Sequence, residues 1–364
     1  MYKKIFALLL VLTMVLSLGL TGCGKDAEVE TPDATETPET PETPETPEVE
    51  TISVGLVTDI GGIDDKSFNQ GTWEGIKKFA EETGAETQYL QSESDTDYIP
   101  NLSTFSDEGF GLIVAPGFLF EDSLTEVSAN FPDQKYLIID MVISAPNVAS
   151  AVFAEDQGSY LVGVAAALKA KEANQSTVGF IGGMDFDLIQ KFEAGFEAGV
   201  KAVDPNMTIL VEYAGSFADA QKGQTLAAKM YDEGAYVIYH AAGATGNGLI
   251  KEAKDRAINK QDVWAIGVDK DQYEDGIYDG TNSVILTSMM KRVDVAAYDV
   301  AQMTAKGKFP GGEILAFTLD NGGVGIPAEN PNLSEEILAK ITEFEGKVKA
   351  GEIEVPSIPS RLEE

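Results

Sequence analysis

The chain has 364 residues, with 60 acidic against 26 basic side chains and a formal net charge of −34. This charge argues against binding of nucleic acid or of an anionic membrane through the protein surface. One histidine and one cysteine are too few for a structural zinc site, and a single cysteine excludes an intramolecular disulfide. The length that remains after a low-complexity N-terminal part exceeds one ordinary core and predicts two lobes.

The first 22 residues predict a signal peptide. Lys3 and Lys4 precede an apolar run over residues 5–20, which is shorter than the roughly 20 apolar residues that a membrane-spanning helix needs. The sequence LTGC that ends at Cys23 resembles the lipobox of bacterial lipoproteins. This resemblance implies cleavage before Cys23 and lipid attachment to it; a free cysteine behind an ordinary signal peptide is the alternative.

Residues 23–50 predict a disordered tether. Thr-Pro-Glu repeats through residues 37–48, and the only large apolar side chains after the cysteine are Val29 and Val49. Such a segment cannot bury enough apolar surface to offset its ordering entropy, and regular prolines between repelling charges keep it extended. We expect a spacer between the lipid and the folded part.

The folded part predicts two doubly wound α/β lobes, because short apolar strands alternate with helical patterns. The first lobe is expected at residues 51–165 and about 288–320, the second at about 166–287 and about 321–364. The predicted strands are 52–57, 86–90, 112–115, 136–139, 149–153, 177–181, 208–213, 237–239, 263–266 and 283–286. The predicted helices are 67–83, 97–107, 123–129, 186–203, 218–233, 246–256 and 333–350, with 158–171 as a buried helix too short to span a membrane.

The stretch from Val54 to Gly75 predicts a binding loop. An apolar strand is followed by an acidic, glycine-containing loop and then by Ser67 and a glutamine three residues later, which is the spacing of a helix capping box. In an open α/β sheet, ligands bind beyond the carboxyl ends of the strands. Asp59, Phe68 and Asn69 are therefore predicted to lie at the rim of a site.

Three aspartates occupy the same kind of position. Asp59, Asp140 and Asp269 each follow an apolar strand, so all three are predicted to project toward one crevice. Ionised carboxylates only accept hydrogen bonds, and the crevice therefore favours a neutral ligand rich in O–H or N–H groups and repels phosphate. The alternative for each aspartate is capping of the helix that follows.

Three motifs carry a family resemblance. The sequences VTDIGGIDDKSFNQGTWEG, DVWAIGVDKDQY and LTSMMKRVDVA resemble the basic membrane protein family of bacterial substrate-binding lipoproteins, in its purine nucleoside receptor branch. The resemblance extends from about Ile52 to the C-terminal helix. It implies the type I periplasmic-binding fold, in which two lobes are joined by a multi-strand hinge and close on a ligand.

The resemblance also implies roles for the residues around the base of a nucleoside. Asp59, Asn69 and Asp140 would contact the edge of the base. Phe68 and Tyr239 would stack on its two faces, with Tyr239 at a position where we expect phenylalanine. Ordinary core packing is the alternative for both rings.

The remaining implied roles concern the ribose and the pocket backbone. Asp269 and Lys291 would hold the ribose hydroxyls, and the backbone from Gly243 to Gly246 would line the pocket. A plain surface lysine is the alternative for Lys291. The sequence GATGNG that starts at Gly243 lacks the spacing of a phosphate loop, so we interpret it as a strand-to-helix turn.

Enzyme signatures are missing from the sequence. The sole histidine, His240, has no cysteine nucleophile available, and neither GxSxG nor HExxH occurs. The acidic run that starts at Asp269 lacks the glycine and the glutamate of a calcium loop. Hydrolysis by a pair of strand-end carboxylates stays open as an alternative.

The resemblance implies a receptor rather than an enzyme. It would be lipid-anchored at the cell membrane, face the extracytoplasmic side, and bind guanosine, adenosine or inosine for the permease and ATPase subunits of an ABC transporter. The alternative is a sensory lipoprotein that signals nucleoside occupancy to a membrane partner without transport. We expect a monomer without a cofactor, a metal ion or a nucleic-acid partner.

Overall fold

The computed structural model describes residues 51–362, which form two six-stranded sheets. The first sheet contains β1 (Val54–Val57), β2 (Thr87–Leu90), β3 (Leu112–Pro116), β4 (Tyr136–Ile139), β5 (Val148–Phe153) and β11 (Ile314–Phe317). The second contains β6 (Thr177–Gly182), β7 (Thr208–Tyr213), β8 (Val237–Ala241), β9 (Trp264–Asp269), β10 (Ile285–Lys291) and β12 (Val324–Gly325). Only β12 pairs antiparallel, with β10. The predicted α/β class with two doubly wound lobes is confirmed.

The strand orders are β11-β5-β4-β3-β1-β2 and β12-β10-β9-β8-β6-β7. Every residue of β1 and of β4 is buried, as expected of inner parallel strands that are covered by helices on both faces. At the edge of the first sheet, by contrast, β2 exposes its two central residues. The apolar runs in the sequence thus mark the inner strands, whose carboxyl ends define the site.

Nine helices cover the two sheets in the described part of the chain. The first lobe contains α1 (Phe68–Thr83), α2 (Tyr98–Asp107), α3 (Glu121–Asn130) and α8 (Val293–Ala305). The second contains α4 (Glu155–Glu172), α5 (Asp187–Val203), α6 (Ala220–Asp232), α7 (Gly246–Ile258) and α9 (Glu335–Lys349).

Helix α4 belongs to the second lobe, although the predicted lobe boundary at residue 165 falls inside it. It packs against β10, α5 and α9 and is buried over most of its surface. A Cβ atom on Gly163 would lie 2.3 Å from the carbonyl oxygen of Phe196 in α5, so the two helices are in backbone contact. An apolar helix of this kind needs cover on all sides, and the second lobe supplies it. Since β5 of the first sheet ends at Phe153 and α4 begins at Glu155, the chain passes between the lobes at Ala154.

Two further segments connect the lobes. Arg292 joins β10 to α8, and residues 318–323 join β11 to β12. The part of the first lobe predicted at about 288–320 is accordingly narrower, at about 292–317, since β10 pairs with β9 in the second sheet. Three segments thus cross between the lobes.

Equivalent strands end in the same unusual backbone conformation. The matching strand orders make β4 equivalent to β9; Asp140 follows β4 and Asp269 ends β9. Their φ angles are +68° and +67°, a left-handed conformation that is uncommon outside glycine and concentrates at functional sites. The two strained aspartates are the first structural sign of a site.

Membrane attachment was predicted for a part of the chain that lies outside the described residues. The predicted signal peptide, Cys23 and the tether that ends at residue 50 all fall there. Within residues 51–362, no helix combines the length and the apolar character that crossing a membrane requires.

Candidate ligand-binding site

A cavity lies between the two lobes, at the carboxyl ends of both sheets. Its empty space, including the part open to solvent, is about 550 Å³. Seven of the nine predicted binding residues line it: Asp59, Phe68, Asn69, Asp140, Gly243, Asp269 and Lys291. Tyr239 and Gly246 do not.

Asp65, which also lines the cavity, caps helix α1. Its Oδ1 accepts from the backbone N–H groups of Ser67 (3.0 Å) and Gln70 (3.1 Å), and its Oδ2 accepts from that of Asn69 (2.7 Å). The predicted capping box is wrong, because the Ser67 hydroxyl donates instead to Asp269 Oδ2 in the second lobe, at 2.5 Å. The start of α1 is therefore fixed by Asp65 and tied to the opposite lobe by Ser67.

Asn69 orients Asp59. The amide nitrogen of Asn69 donates to Asp59 Oδ1 (2.7 Å) and to Asp65 Oδ2 (3.0 Å), and its carbonyl oxygen accepts from the backbone N–H of Asp59 (3.1 Å). Gly61 N–H also donates to Asp59 Oδ1. Both N–H groups of the Asn69 amide are thus occupied by carboxylates, while Asp59 Oδ2 has no hydrogen-bond partner among the described residues.

Two cavity carboxyls have strongly raised pKa values. Burial raises the pKa of Asp59 to about 6, against the opposing hydrogen bond from Asn69. Burial also raises the pKa of Asp269 to about 7, although the Lys291 ammonium lowers it. Because both groups change charge near neutral pH, they can adjust to the hydrogen-bonding groups of a ligand.

Lys291 is the cation at the centre of the site. Its ammonium nitrogen lies 2.5 Å from Asp140 Oδ2 and 3.2 Å from Glu155 Oε1, and all three side chains are buried. Burial lowers the pKa of Lys291, but Asp140 and Glu155 outweigh it and raise the pKa above its ordinary value. The alternative of a surface lysine is therefore wrong.

The surroundings of Lys291 join both lobes. Three phenylalanine rings have their centroids 5.1–5.2 Å from its nitrogen: Phe68, Phe153 and Phe192. Asp140 Oδ1, the oxygen that Lys291 does not bind, is buried without a partner among the described residues. Glu155 was missed by the sequence reasoning; its only signal was its position as the first residue after the crossing at Ala154.

The structure contradicts the stacking role predicted for Tyr239. This side chain has no exposed surface and packs against the rings of Phe180 and Phe196. Its hydroxyl lies 3.1 Å from that of Ser159 in α4. Tyr239 lies in the middle of β8, two residues before Ala241, which ends the strand and lines the cavity, so its ring packs in the core beside the site.

Other aromatic rings line the cavity instead. Phe118, in the turn after β3, has its ring centroid 6.1 Å from that of Phe217, in the loop after β7, so rings from both lobes meet here. Phe192 on α5 also lines the cavity. The sequence reasoning missed all three, although the positions of Phe118 and Phe217 in loops beyond strand ends could have indicated the first two.

The glycine turn after β8 contributes only in part. Gly243, with a φ angle of +52°, lines the cavity. Gly246 lies behind it, where a Cβ atom would come within 2.0 Å of His240 Nδ1. Burial lowers the pKa of His240 to about 4, so this histidine is a neutral core residue and Gly246 makes room for it.

The arrangement defines what the cavity can bind. Among the described carboxylates that line the cavity, three oxygens have no hydrogen-bond partner: Asp59 Oδ2, Asp140 Oδ1 and Asp269 Oδ1. All accept hydrogen bonds, and within residues 51–362 Lys291 is the one cation that lines the cavity. The walls between them are largely apolar and aromatic, so the site suits a ligand with flat apolar faces and N–H or O–H groups at its edges.

The fold and the cavity together define a two-lobed solute-binding protein. A family model described as "ABC transporter substrate-binding protein PnrA-like" matches residues 52–359. The chain belongs to this family, which confirms the resemblance found in the three sequence motifs.

Relatives and a solved structure agree with this assignment. The chain is 41% identical over 373 residues to the CD4+ T-cell-stimulating antigen of Listeria monocytogenes, covering 99% of this chain and all of that protein. It is 40% identical over 318 residues to the ABC transporter nucleoside-binding protein BmpA of Lactococcus lactis, covering 84% and 89%. A crystal structure of ABC transporter solute-binding proteins from Aeropyrum pernix has a TM-score of 0.75 and 28% identity, covering 84% of this chain and 93% of that one.

Proposed function

We propose that this protein is a lipid-anchored receptor that captures purine nucleosides between its lobes and delivers them to an ABC importer. The observation that carries the ligand class is the set of three unpaired carboxylate oxygens in an aromatic cavity. A purine nucleoside offers N–H groups on its base, hydroxyls on its ribose and a flat apolar face. The Lactococcus relative, whose name describes nucleoside binding, supports the same ligand.

The charges of the cavity favour a nucleoside over a nucleotide. Asp59, Asp140 and Asp269 face the ligand, whereas Lys291 is already bound to Asp140 and close to Glu155. A phosphate group would meet uncompensated negative charge in a buried site, where such charge is costly. Neutral ligands avoid this cost.

The aromatic walls favour a nucleoside over a free sugar. A sugar could use the carboxylates but would leave Phe68, Phe118 and Phe217 without a flat partner. Stacking of a base on an aromatic ring contributes ~1–3 kcal/mol. We assign Phe68 to the base face, in agreement with the role implied by the sequence resemblance.

The polar groups then divide between base and ribose. Asp59 and Asp140 would accept from the N–H groups of the base, and Asp269 with Lys291 would hold the ribose hydroxyls. Asn69 acts through Asp59, because both of its N–H groups are occupied. This differs from the direct base contact that the resemblance implies for Asn69.

Ligand identity is tested with the full-length chain purified in detergent. Native mass spectrometry as isolated, followed by calorimetric titration, should show stoichiometric binding of guanosine, adenosine or inosine and much weaker binding of ribose, amino acids and GMP. Preference for a sugar, an amino acid or GMP would overturn the ligand assignment. Free base appearing in the titrated sample by chromatography would overturn the receptor role in favour of hydrolysis.

The anchor is tested separately at Cys23. With Cys23→Ala, the protein should move from the membrane fraction to the soluble fraction. The lipid attached to Cys23 would supply the free energy of membrane binding, and the acidic protein surface would supply none. Continued membrane association of the variant would overturn lipid attachment at this residue without affecting the ligand assignment.

A further inference from the structure

Three consecutive residues at the start of α1 each form a hydrogen bond across the cleft. They belong to the first lobe, and their partners in the second lie in α7, at the end of β9 and in the loop that follows β9. The bonds are Asn247 Nδ2 to the Asp65 carbonyl oxygen (3.2 Å), Gln272 Nε2 to the Lys66 carbonyl oxygen (3.0 Å) and Ser67 Oγ to Asp269 Oδ2 (2.5 Å).

Gln272 is held in one orientation by the second lobe. It is fully buried, its Oε1 accepts from Val268 N–H at 3.0 Å and lies 3.0 Å from His240 Nε2, and its backbone N–H donates to Ser288 Oγ. Because the Val268 N–H needs an acceptor, the carbonyl oxygen of the amide must point inward. The two N–H groups therefore point outward, toward Lys66.

The receiving backbone is equally fixed. Lys66 has a φ angle of +64°, and the Asp65 side chain binds the N–H groups of the residues that follow it. Phe68 and Asn69, the next two residues, line the cavity. Contacts at residues 65–67 therefore fix the position of ligand-binding side chains directly beside them.

We infer that residues 65–67 form a latch that holds the lobes closed over the ligand, with Gln272 and Asn247 as its positioning residues. This inference rests on the proposed function, in which the ligand is captured between the lobes. Neither Gln272 nor Asn247 lines the cavity, so both act through the latch. Asp269 belongs to the latch and to the cavity, which couples closure to ligand binding.

Ion pairs at the edge of the cleft add little to the latch. Lys66 lies 3.6 Å from Asp275, and Lys270 lies 2.8 Å from Glu74. Both pairs are partly exposed, and exposed ion pairs contribute little because water and salt screen them. The buried bond from Gln272 is the stronger candidate for control of opening.

The substitution Gln272→Glu isolates this bond. Glutamate keeps the volume and an oxygen for Val268 and His240, but it places a second oxygen against the Lys66 carbonyl. We expect guanosine to dissociate at least about tenfold faster in stopped-flow experiments, because a buried acceptor is left without its donor. Acidification, which protonates the glutamate and restores a donor, should slow dissociation of the variant relative to the wild type at the same pH.

A matched control is Gln134→Glu. The amide of Gln134 donates to the Phe110 carbonyl oxygen at 2.7 Å, within the first lobe only. Guanosine should therefore dissociate from the Gln134→Glu variant as fast as from the wild type. Asn247→Asp, at a partly exposed position, removes another latch donor with little risk to folding and should also speed dissociation. Unchanged dissociation in both Gln272→Glu and Asn247→Asp would overturn the latch.

Small-angle X-ray scattering tests the latch independently of ligand identity. Without ligand, Gln272→Glu and Asn247→Asp should have a larger radius of gyration than the wild type and Gln134→Glu, because the open population grows. Equal radii in all four proteins would overturn the latch. A wild type that binds no nucleoside would overturn the proposed function instead, and the scattering result would still decide the latch.

Discussion

The two lobes share one strand order but build opposite walls of the cavity. In the first lobe, the loop after β1 carries the polar network of Asp59, Asp65 and Asn69. After the equivalent strand β6, the cavity is instead lined by apolar residues at the start of α5: Leu188, Ile189 and Phe192. The same topology therefore serves two purposes, since the first lobe supplies directional hydrogen bonds and the second supplies apolar cover.

Two charged residues of the second lobe depart from this division. Asp269 and Lys291 end β9 and β10 and enter the site beside the apolar wall. Both contact the first lobe, Asp269 through Ser67 and Lys291 through Asp140. These polar groups of the second lobe thus bind the first lobe directly. The complete site therefore forms only when the two lobes are closed.

The largest expected effect is on Lys291, the cation shared by the two lobes. Lys291→Met should reduce the free energy of unfolding by about 3–5 kcal/mol, because Asp140 would be buried without a counter-charge and Glu155 would keep only Lys191, at 3.8 Å. Urea unfolding followed by circular dichroism measures it. Lys270→Met, which removes the partly exposed pair with Glu74, should change stability by at most ~1 kcal/mol; equal effects would contradict the central role of Lys291.

The second prediction concerns the pH dependence of stability. The pKa of Asp269 is raised to about 7 in the folded state, so this carboxyl stabilises the fold fully below its unfolded pKa near 4. The contribution is lost as the pH rises from about 4 through about 7, on the order of 2–4 kcal/mol. In urea titrations, Asp269→Asn should show a smaller decline over this range than the wild type; parallel curves would contradict the buried position of Asp269.

The third prediction separates the ligand contact of Asp269 from its contact with Ser67. Asp269→Ala should weaken nucleoside binding roughly 10–100-fold and free-base binding far less, because only the nucleoside offers ribose hydroxyls. Ser67→Ala removes the bond across the cleft alone and should affect both ligands by a similar, smaller factor. Calorimetry with guanosine and guanine measures both, and equal losses for the two ligands in Asp269→Ala would refute a ribose role.

The smallest expected effect tests the aromatic walls. Phe68→Ala should weaken guanosine binding by about tenfold through loss of stacking. Tyr239→Phe should change the affinity by less than about twofold, because the tyrosine hydroxyl meets Ser159 in the core and not the ligand. A larger effect of Tyr239→Phe than of Phe68→Ala would reverse the assignment of the two rings.

The sequence alone was sufficient for the architecture and for the position of each of the three aspartates at the end of a strand. Inner strands such as β3 and β4 were recognised from continuous apolar runs, since both faces of a parallel sheet are buried. Asp59 and Asp140 had to lie at one edge, because the carboxyl ends of parallel strands in one sheet share it. Asp269 ends a strand of the second sheet, and it meets them only because the two lobes face each other. Residues within a few positions of each other determine both features.

The tertiary structure alone decided which way side chains point and which partners they take. Tyr239 was predicted to end a strand, but β8 continues to Ala241, so Tyr239 lies in the middle of a strand held between β6 and β9 and its ring packs in the core. Phe192 and Glu155 enter the site from helices whose placement follows from the packing of α4 against α5. No local pattern carries that information.

Ser67 shows the physical reason most directly. Its spacing to Gln70 predicted a local cap, yet the hydroxyl donates to Asp269, which is 202 positions away in the chain, while Asp65 caps the helix instead. Local sequence sets the supply of donors and acceptors. Folding brings many donors and acceptors together, and they compete for partners. The pairs that form are those that leave neither a buried donor nor a buried acceptor without a hydrogen bond.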